Sequence, residues 1–322
     1  MARVKKAVIT AAGRGTRQYP ATSVVQKEML PLVDRDGLTK PVIQIICEEL
    51  VEAGIEQICV IVSPGDEDIF KRYFRGIGVE NLPAFQGKEW ALKASKTLDD
   101  LQKSLTFVTQ HSPEGYGHAV YQAKEFVGAD SFVLMLGDHI YISGVTDNCT
   151  KQLIDAYHLS GAEAMTGVKS TPENLLHLFG AMRGSKLNDG GRVYRVETIK
   201  EKPTPEFARE NLVTPGLMPG HYLCHFGMHV FSPLIFDALE KQIVDNLREK
   251  GEIQLTSAQE MMRRHLSRYY CFDIQGERYD TGIPMGLMET QIALALASVH
   301  RQEIVESLAR LLTQQLVTMK KQ

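Results

Sequence analysis

The sequence has no excess of charge of one sign: 36 Lys and Arg stand against 39 Asp and Glu, a net −3 with both signs interspersed. A nucleic-acid-binding surface shows as a basic excess or stripe, so no nucleic-acid partner is expected. No segment approaches the roughly 18 consecutive apolar residues of a membrane span, and no membrane partner is expected either. Cys47, Cys59, Cys149, Cys224 and Cys271 are scattered singly, without a CxxC pair and in odd number. That is a poor disulfide framework; it fits buried thiols in a reducing compartment, and a cytoplasmic location is expected. Arg3, Lys5 and Lys6 precede Ala7-Val8-Ile9-Thr10-Ala11-Ala12, the polarity of a secretory leader, but Arg14 interrupts the apolar run. A first β-strand is the better reading. Neither an internal repeat nor a linker-like stretch is present.

What is present is an alternation of strand and helix patterns over the first 140 residues. Lys6–Thr10 reads as a strand, Val42–Ala53 as a helix stopped by Gly54, and Gln57–Ser63 as a strand apolar on both faces. Asp66–Phe74 reads as a helix, Leu105–Gln110 as a strand, Gly117–Val127 as a helix and Ser131–Leu136 as a strand. This rhythm predicts an α/β fold: a Rossmann-like, mixed but mostly parallel sheet flanked by helices, with ligands at the carboxyl ends of its strands. Residues 76–100 read as an excursion holding the lone Trp90. Further on, Lys151–Ser160 reads as a helix, and Arg192–Ile199 and Tyr222–Phe231 as strands. Pro233–Glu249 reads as a helix capped by Ser232, and Thr256–Leu266 as one with Thr256 and Gln259 at capping-box spacing. Thr204–Gly220, rich in Pro and Gly, reads as a long loop. We expect one domain over 1–288 in two parts, about 1–145 and about 146–288, followed by a helical tail at 289–322. The tail could dock on the body or join subunits, and a homo-oligomer is expected.

The chemistry is concentrated just after the first strand, in Ala11-Ala12-Gly13-Arg14-Gly15-Thr16-Arg17 and, ten residues on, Lys27-Glu28-Met29-Leu30-Pro31. Two glycines let the backbone pass close to a ligand, and peptide N–H groups, Arg17 and Lys27 can converge on one polyphosphate. The dinucleotide fingerprint is missing its third glycine, since Gln18 stands there, and the acidic residue that should end the second strand. The P-loop pattern GxxxxGK[ST] does not occur. A nucleotide-dependent oxidoreductase is disfavoured on both counts.

The longer pattern Gly13-x-Gly15-Thr16-Arg17-x-x-Pro20-x-Thr22, continued by Lys27-Glu28-Met29-Leu30-Pro31-Leu32-Val33-Asp34, resembles the signature of the sugar-phosphate nucleotidyltransferases, and most of all their bacterial UTP- and glucose-1-phosphate-using branch. Further matches follow in order: Gln110 with Gly115-Tyr116-Gly117-His118-Ala119, Leu136-Gly137-Asp138, Glu201-Lys202-Pro203, Gly251-Glu252-Ile253-Gln254-Leu255-Thr256 and Asp280-Thr281-Gly282. The resemblance covers residues 4 to about 290. It implies transfer of a nucleotidyl group from UTP to glucose 1-phosphate, with Mg²⁺ as cofactor.

The resemblance also implies roles for residues. Ala11, Ala12, Gly13, Gly15, Thr16, Arg17, Glu28, Gln110 and Gly115 would bind the nucleotide, with Arg17 and Lys27 as the catalytic cations. Asp138 and Asp280 would hold Mg²⁺. Gly180, Glu201, Lys202 and Gly227 would bind the sugar phosphate, Gly180 by analogy of Leu178-Phe179-Gly180 with the family's Tyr-Gly turn. Glu28 would contact the nucleotide or brace Arg17; Gly227 marks a close ligand approach or a bulge. Gln26, Gly137, Thr281 and Ser257 depart from the branch's usual residues, which leaves dTTP as an alternative to UTP. A non-catalytic homologue is the other alternative, disfavoured because the charged residues are all present. His221, His225 and His229 with Cys224 invite a zinc reading, but on a strand of roughly 3.3 Å per residue, neighbours four apart lie about 13 Å from each other. His118 would cap its helix or touch phosphate.

Overall fold

The computed structural model describes residues 3–319 of the chain. Its centre is dictated by short runs that are apolar on both faces. In β1 (Lys6–Ala11), Ala7, Ile9 and Ala11 point to one side of the sheet and Val8 to the other. Three single-turn 3₁₀ segments follow, at Thr16–Gln18, Ala21–Ser23 and Lys27–Met29, then a two-stranded ribbon of β2 (Pro31–Val33) and β3 (Thr39–Pro41) and helix α1 (Val42–Glu52). In β4 (Gln57–Val62) Ile58, Val60 and Val62 join the first side, and Cys59 and Ile61 the second. Each fully buried side chain of this kind contributes about 1.5–3 kcal/mol, so a one-residue slip in register would expose an entire face. Helices α2 (Glu67–Phe74) and α3 (Glu89–Ser104) lead to β5 (Leu105–Thr109). Residues 76–100 are therefore a 3₁₀ segment, Val79–Phe85, and most of α3, which packs on α2.

The helix expected over Gly117–Val127 is two pieces, α4 (Tyr116–Tyr121) and α5 (Lys124–Val127), ahead of β6 (Phe132–Leu136) and β7 (His139–Ser143). Then come α6 (Cys149–Ser160), β8 (Ala164–Pro172), β9 (Ala181–Lys186) and β10 (Val193–Lys200). The stretch Thr204–Gly220 is not all loop. It opens with α7 (Pro205–Asn211), because the Thr204 side chain accepts from the Phe207 N–H and Pro205 takes the first helical position. After β11 (His221–Phe231), α8 (Leu234–Val244) is shorter than expected, and the Ser232 hydroxyl does not cap it. In α9 (Leu255–Arg263), Thr256 lies inside the helix, and its hydroxyl donates to Glu201 instead of capping. Strands β12 (Tyr269–Asp273) and β13 (Gly276–Asp280) and helices α10 (Pro284–Leu296) and α11 (Arg301–Met319) complete the chain. The end of the expected tail, Lys320-Lys321-Gln322, lies outside the described residues, and α10 runs through residue 288.

The nine-stranded sheet has the order β5-β4-β1-β6-β11-β8-β12-β10-β9. Following its pairings outward from β1, only β10 and β11 run against the others. The sheet is thus mixed and mostly parallel, as expected. Parallel β5, β4, β1 and β6 bring residues 12–17, Ser63, Gln110 and Gly137-Asp138 to one edge. A separate ribbon, β7 with β13, lies beside that edge. All five cysteines are buried and free.

Candidate active site

The loop after β1 turns through Gly15, whose φ of 62° is the left-handed conformation that glycine adopts without strain. Thr22 locks the turn by donating to the Gly15 carbonyl at 2.8 Å. Beneath it Lys27 reaches inward: a Cβ added to Gly13 would stand 3.0 Å from its Nζ. That Nζ lies 2.5 Å from Asp138 Oδ2 and 3.6 Å from Glu28 Oε1. Burial works against the charge on Lys27, but Asp138 and Glu28 outweigh it and raise its pKa. For Asp138 burial is outweighed by His139 and Lys27, and the carboxyl is held well below the usual range.

Glu28 is fully buried, and among the described residues its carboxylate oxygens have no hydrogen-bond partner within 3.5 Å. Burial, aided by the charge of Asp138 and opposed by Lys27, pushes its pKa up to about 8. It sits behind Lys27 and does not line the cavity described below. Ala11 is likewise a core residue, paired with Val62 at the end of β1.

The β7–β13 ribbon brings the two aspartates together. Asp280 pairs with His139, next to Asp138, and the Thr281 N–H and hydroxyl both bind the Asp138 carbonyl, at 2.9 and 2.8 Å. Donor atoms of Asp138, His139 and Asp280 lie within 4.8 Å of one another. A Cβ on Gly282 would stand 2.7 Å from Asp138 Oδ2 and 2.9 Å from Asp280 Oδ1, so this glycine keeps open the space between the carboxylates. Converging carboxylate oxygens around a held-open space fit a hard dication. Arg17 Nη1 is 3.6 Å from Asp280 Oδ2, with its side chain mostly exposed. Gln18, which broke the dinucleotide fingerprint, donates to the Thr281 carbonyl at 2.7 Å and ties the glycine loop to the Asp-Thr-Gly turn.

A cavity of 510 Å³ opens between these elements, lined among others by Ala12, Gly13, Lys27, Gln110, Gly115 and Asp138. Its far wall is set by contact between two motifs: the Gly117 N–H donates to the Ile253 carbonyl and the Ile253 N–H to that of Glu114, both at 2.9 Å. Gln110 is buried, with Nε2 2.9 Å from His118 Nδ1 and 3.3 Å from the Gly115 carbonyl. His118 therefore holds Gln110 in place.

On the sugar-phosphate side, Gly180 and Glu201 are adjacent. A Cβ on Gly180 would meet Glu201 Oε2 at 3.0 Å and His225 Nδ1 at 2.7 Å. Thr256 donates to the same Glu201 oxygen at 2.6 Å. Lys202 has φ 39°, rare for a side-chain-bearing residue, and its exposed side chain makes no ion pair among the described residues. Gly227 is a bulge: its φ is 98°, the register of β11 against β8 shifts between His225 and His229, and its carbonyl accepts from Tyr141 at 2.9 Å. The space a Cβ would need is filled by the Tyr141 hydroxyl, at 2.8 Å. The histidines form no zinc cluster among the described residues. Burial and the charge of Arg278, which donates to the His225 carbonyl and stacks 3.7 Å over Phe179, together lower the His225 pKa to about 3.

Sequence reasoning did not find His139, which follows Asp138 directly, or the parts played by Gln18, Thr256 and Gly282. All four stand inside or beside the quoted motifs; what singles them out is a contact with a residue far along the chain.

Residues 6–295 match the family model described as nucleotidyl transferase. The chain is 37% identical over 314 residues to UTP–glucose-1-phosphate uridylyltransferase 2 of Staphylococcus saprophyticus, covering 97% of this chain and 99% of that one. It is 35% identical over 316 residues to UTP–glucose-1-phosphate uridylyltransferase of Bacillus subtilis, covering 98% and 99%. Among solved structures, it resembles UDP-glucose pyrophosphorylase complexed with UDP-glucose (TM-score 0.73, 28% identity, 90% of this chain and 98% of that one). It also resembles the UTP-bound enzyme of Acinetobacter baumannii (TM-score 0.77, 27% identity, 95% and 99%).

Proposed function

The chain belongs to the nucleotidyl transferase family, and from that premise we infer that it transfers the uridylyl group of UTP to glucose 1-phosphate, releasing pyrophosphate and giving UDP-glucose. A phosphate oxygen of glucose 1-phosphate attacks the α-phosphorus of UTP, and the bond to the β-phosphate bridging oxygen breaks. The nucleophile is already ionised, so no general base is required. The site has to supply in-line positioning and charge neutralisation.

The observation that carries this reading is the convergence of Lys27, Asp138 and Asp280 at the sheet edge where the glycine loop and the 510 Å³ cavity meet. In our reading Lys27 stabilises charge developing at the α-phosphate, and Arg17 neutralises the departing pyrophosphate. Gly13, Gly15 and Thr16 present backbone N–H groups to the phosphates. Gln110, Gly115 and the backbone of Ala12 and Gly13 face the uracil. Lys202 binds the sugar phosphate, while Glu201 and the Gly180 backbone take the sugar hydroxyls. The family generally depends on a divalent metal, and Asp138 and Asp280 are the residues that would hold it, Mg²⁺ in our reading. When bound, it offsets charge on the phosphate oxygens. The five buried thiols support a reducing, cytoplasmic setting.

The test is a matrix of nucleoside triphosphates against sugar 1-phosphates with Mg²⁺, read by pyrophosphate release. UTP with glucose 1-phosphate should turn over fastest. One methyl separates UTP from dTTP at the base, a difference of about 1–3 kcal/mol in a pocket. Preference for dTTP would make the protein a thymidylyltransferase, and no pyrophosphate from any pair would make it a non-catalytic homologue.

A further inference from the structure

The residue after Asp138 projects into the same space as the two aspartates. Because β7 pairs with β13 in the register Asp280↔His139, the imidazole is delivered beside Asp280 by the ribbon itself. Its Nδ1 lies 2.9 Å from Asp138 Oδ1. Two ligand atoms that share a metal ion at right angles, each about 2.1 Å from it, stand about 3 Å apart, so this pair already has the spacing of neighbouring ligands. Asp138 Oδ2 is taken by Lys27 and Asp280 Oδ1 by the Gly282 N–H at 2.8 Å, which leaves Asp280 Oδ2, 3.6 Å from Arg17 Nη1, to face the cation with Asp138 Oδ1 and His139 Nδ1. His139 is largely buried, with its ring against Tyr141 and the Gly227 bulge, so few orientations are open to it.

We propose that His139 Nδ1 is a third protein ligand of the cation held by Asp138 and Asp280, giving the site a mixed nitrogen and oxygen donor set that binds Mn²⁺ or Co²⁺ more tightly than an all-oxygen set would. The proposal rests on the reading of the two aspartates as cation ligands. Imidazole suits the later divalent metals, whereas Mg²⁺ keeps to oxygen and retains its waters. Ligation through Nδ1 takes the neutral imidazole with its proton on Nε2.

The experiment uses the full chain with Mn²⁺ and UTP, without sugar phosphate so that nothing turns over. Electron paramagnetic resonance counts bound Mn²⁺, and pulsed measurement reads nuclei coupled to it. Wild type should show coupling to a directly bound imidazole nitrogen beside the phosphorus coupling of UTP. His139→Gln and His139→Ala should lose the nitrogen coupling, weaken Mn²⁺ binding about tenfold, and narrow the preference for Mn²⁺ over Mg²⁺ in competition. Bound Mn²⁺ without nitrogen coupling in wild type, or with coupling and affinity unchanged in both variants, would overturn the proposal while leaving the aspartates as ligands. Asp138→Asn separates the two levels: if it holds Mn²⁺ with UTP as tightly as wild type, the aspartate reading fails and the proposal falls with it.

Discussion

Lys27 and Asp138 neutralise each other across 2.5 Å, with the buried Glu28 carboxyl behind them. The cation proposed for the α-phosphate and the carboxylate proposed for the metal are thus direct partners. Replacing Asp138 by Asn takes away the carboxylate but leaves Lys27 with Glu28 as a partner, so it should fold. We expect kcat to fall by roughly 10²–10³-fold or more, with the melting temperature within a few degrees of wild type. Retained turnover in a pyrophosphate-release assay would remove Asp138 from the mechanism.

Lys27→Met tests the other half of the pair. If the ammonium acts on charge that develops at the α-phosphate, its loss should lower kcat by about 10²–10³-fold and change the KM for UTP much less. An equal loss confined to KM would make Lys27 a ground-state binding residue.

Glu28 gives a pH signature. Its pKa is about 8 in the fold and about 4.3 in an unfolded chain. Between those values the native state keeps a proton that the unfolded chain has lost, so its contribution to stability is fully present below about 4.3 and declines as pH rises through 8. Glu28→Gln removes this decline. The stability of the variant relative to wild type should climb from pH 5 to pH 8 and then level off, by an amount on the order of 4 kcal/mol, and its relative melting temperature with it. A difference that does not vary with pH would mean that Glu28 is ionised throughout, held by Lys27.

Thr256→Val probes the sugar side without touching the nucleotide loop. The hydroxyl that donates to Glu201 sits within α9, so its loss should leave the helix intact and free the carboxylate to turn. The KM for glucose 1-phosphate should rise several-fold while that for UTP stays put. A parallel rise in both would place Glu201 away from the sugar.

Much of this site was legible because its parts are contiguous with strand ends. Ala7-Val8-Ile9 and Phe132–Leu136 announce buried parallel strands, and the glycine loop, Gln110 and Asp138 stand directly beyond such ends. Pairings across long sequence separations were not legible. Ile140-Tyr141-Ile142 is too short an alternation to mark a strand of its own, so the ribbon that sets Asp280 beside His139 went unseen. Glu28 adjoins Lys27 in a charged run, and nothing local says that one side chain faces the cavity and the other the interior. The α7 helix escaped because its two turns lie among Pro and Gly, although Thr204-Pro205 carried its start signal.

Gly282 allows the sharpest separation of site from scaffold. Its backbone lies outside the left-handed region, so alanine meets no conformational penalty there. What a methyl group meets is the site itself: Asp138 Oδ2 at 2.7 Å, Asp280 Oδ1 at 2.9 Å and Arg17 Nη2 at 3.1 Å. Arg17 is exposed and can swing aside, but Asp280 is pinned by the Gly282 N–H and Asp138 by Lys27 and Thr281. The methyl group therefore has to push the carboxylates apart or occupy the space between them. Gly282→Ala should keep the wild-type melting temperature within about 1–2 kcal/mol of stability, lower kcat at least tenfold, and raise the metal concentration needed for half-maximal rate. Unaltered metal dependence in this variant would show that the space between Asp138 and Asp280 is not where the cation binds.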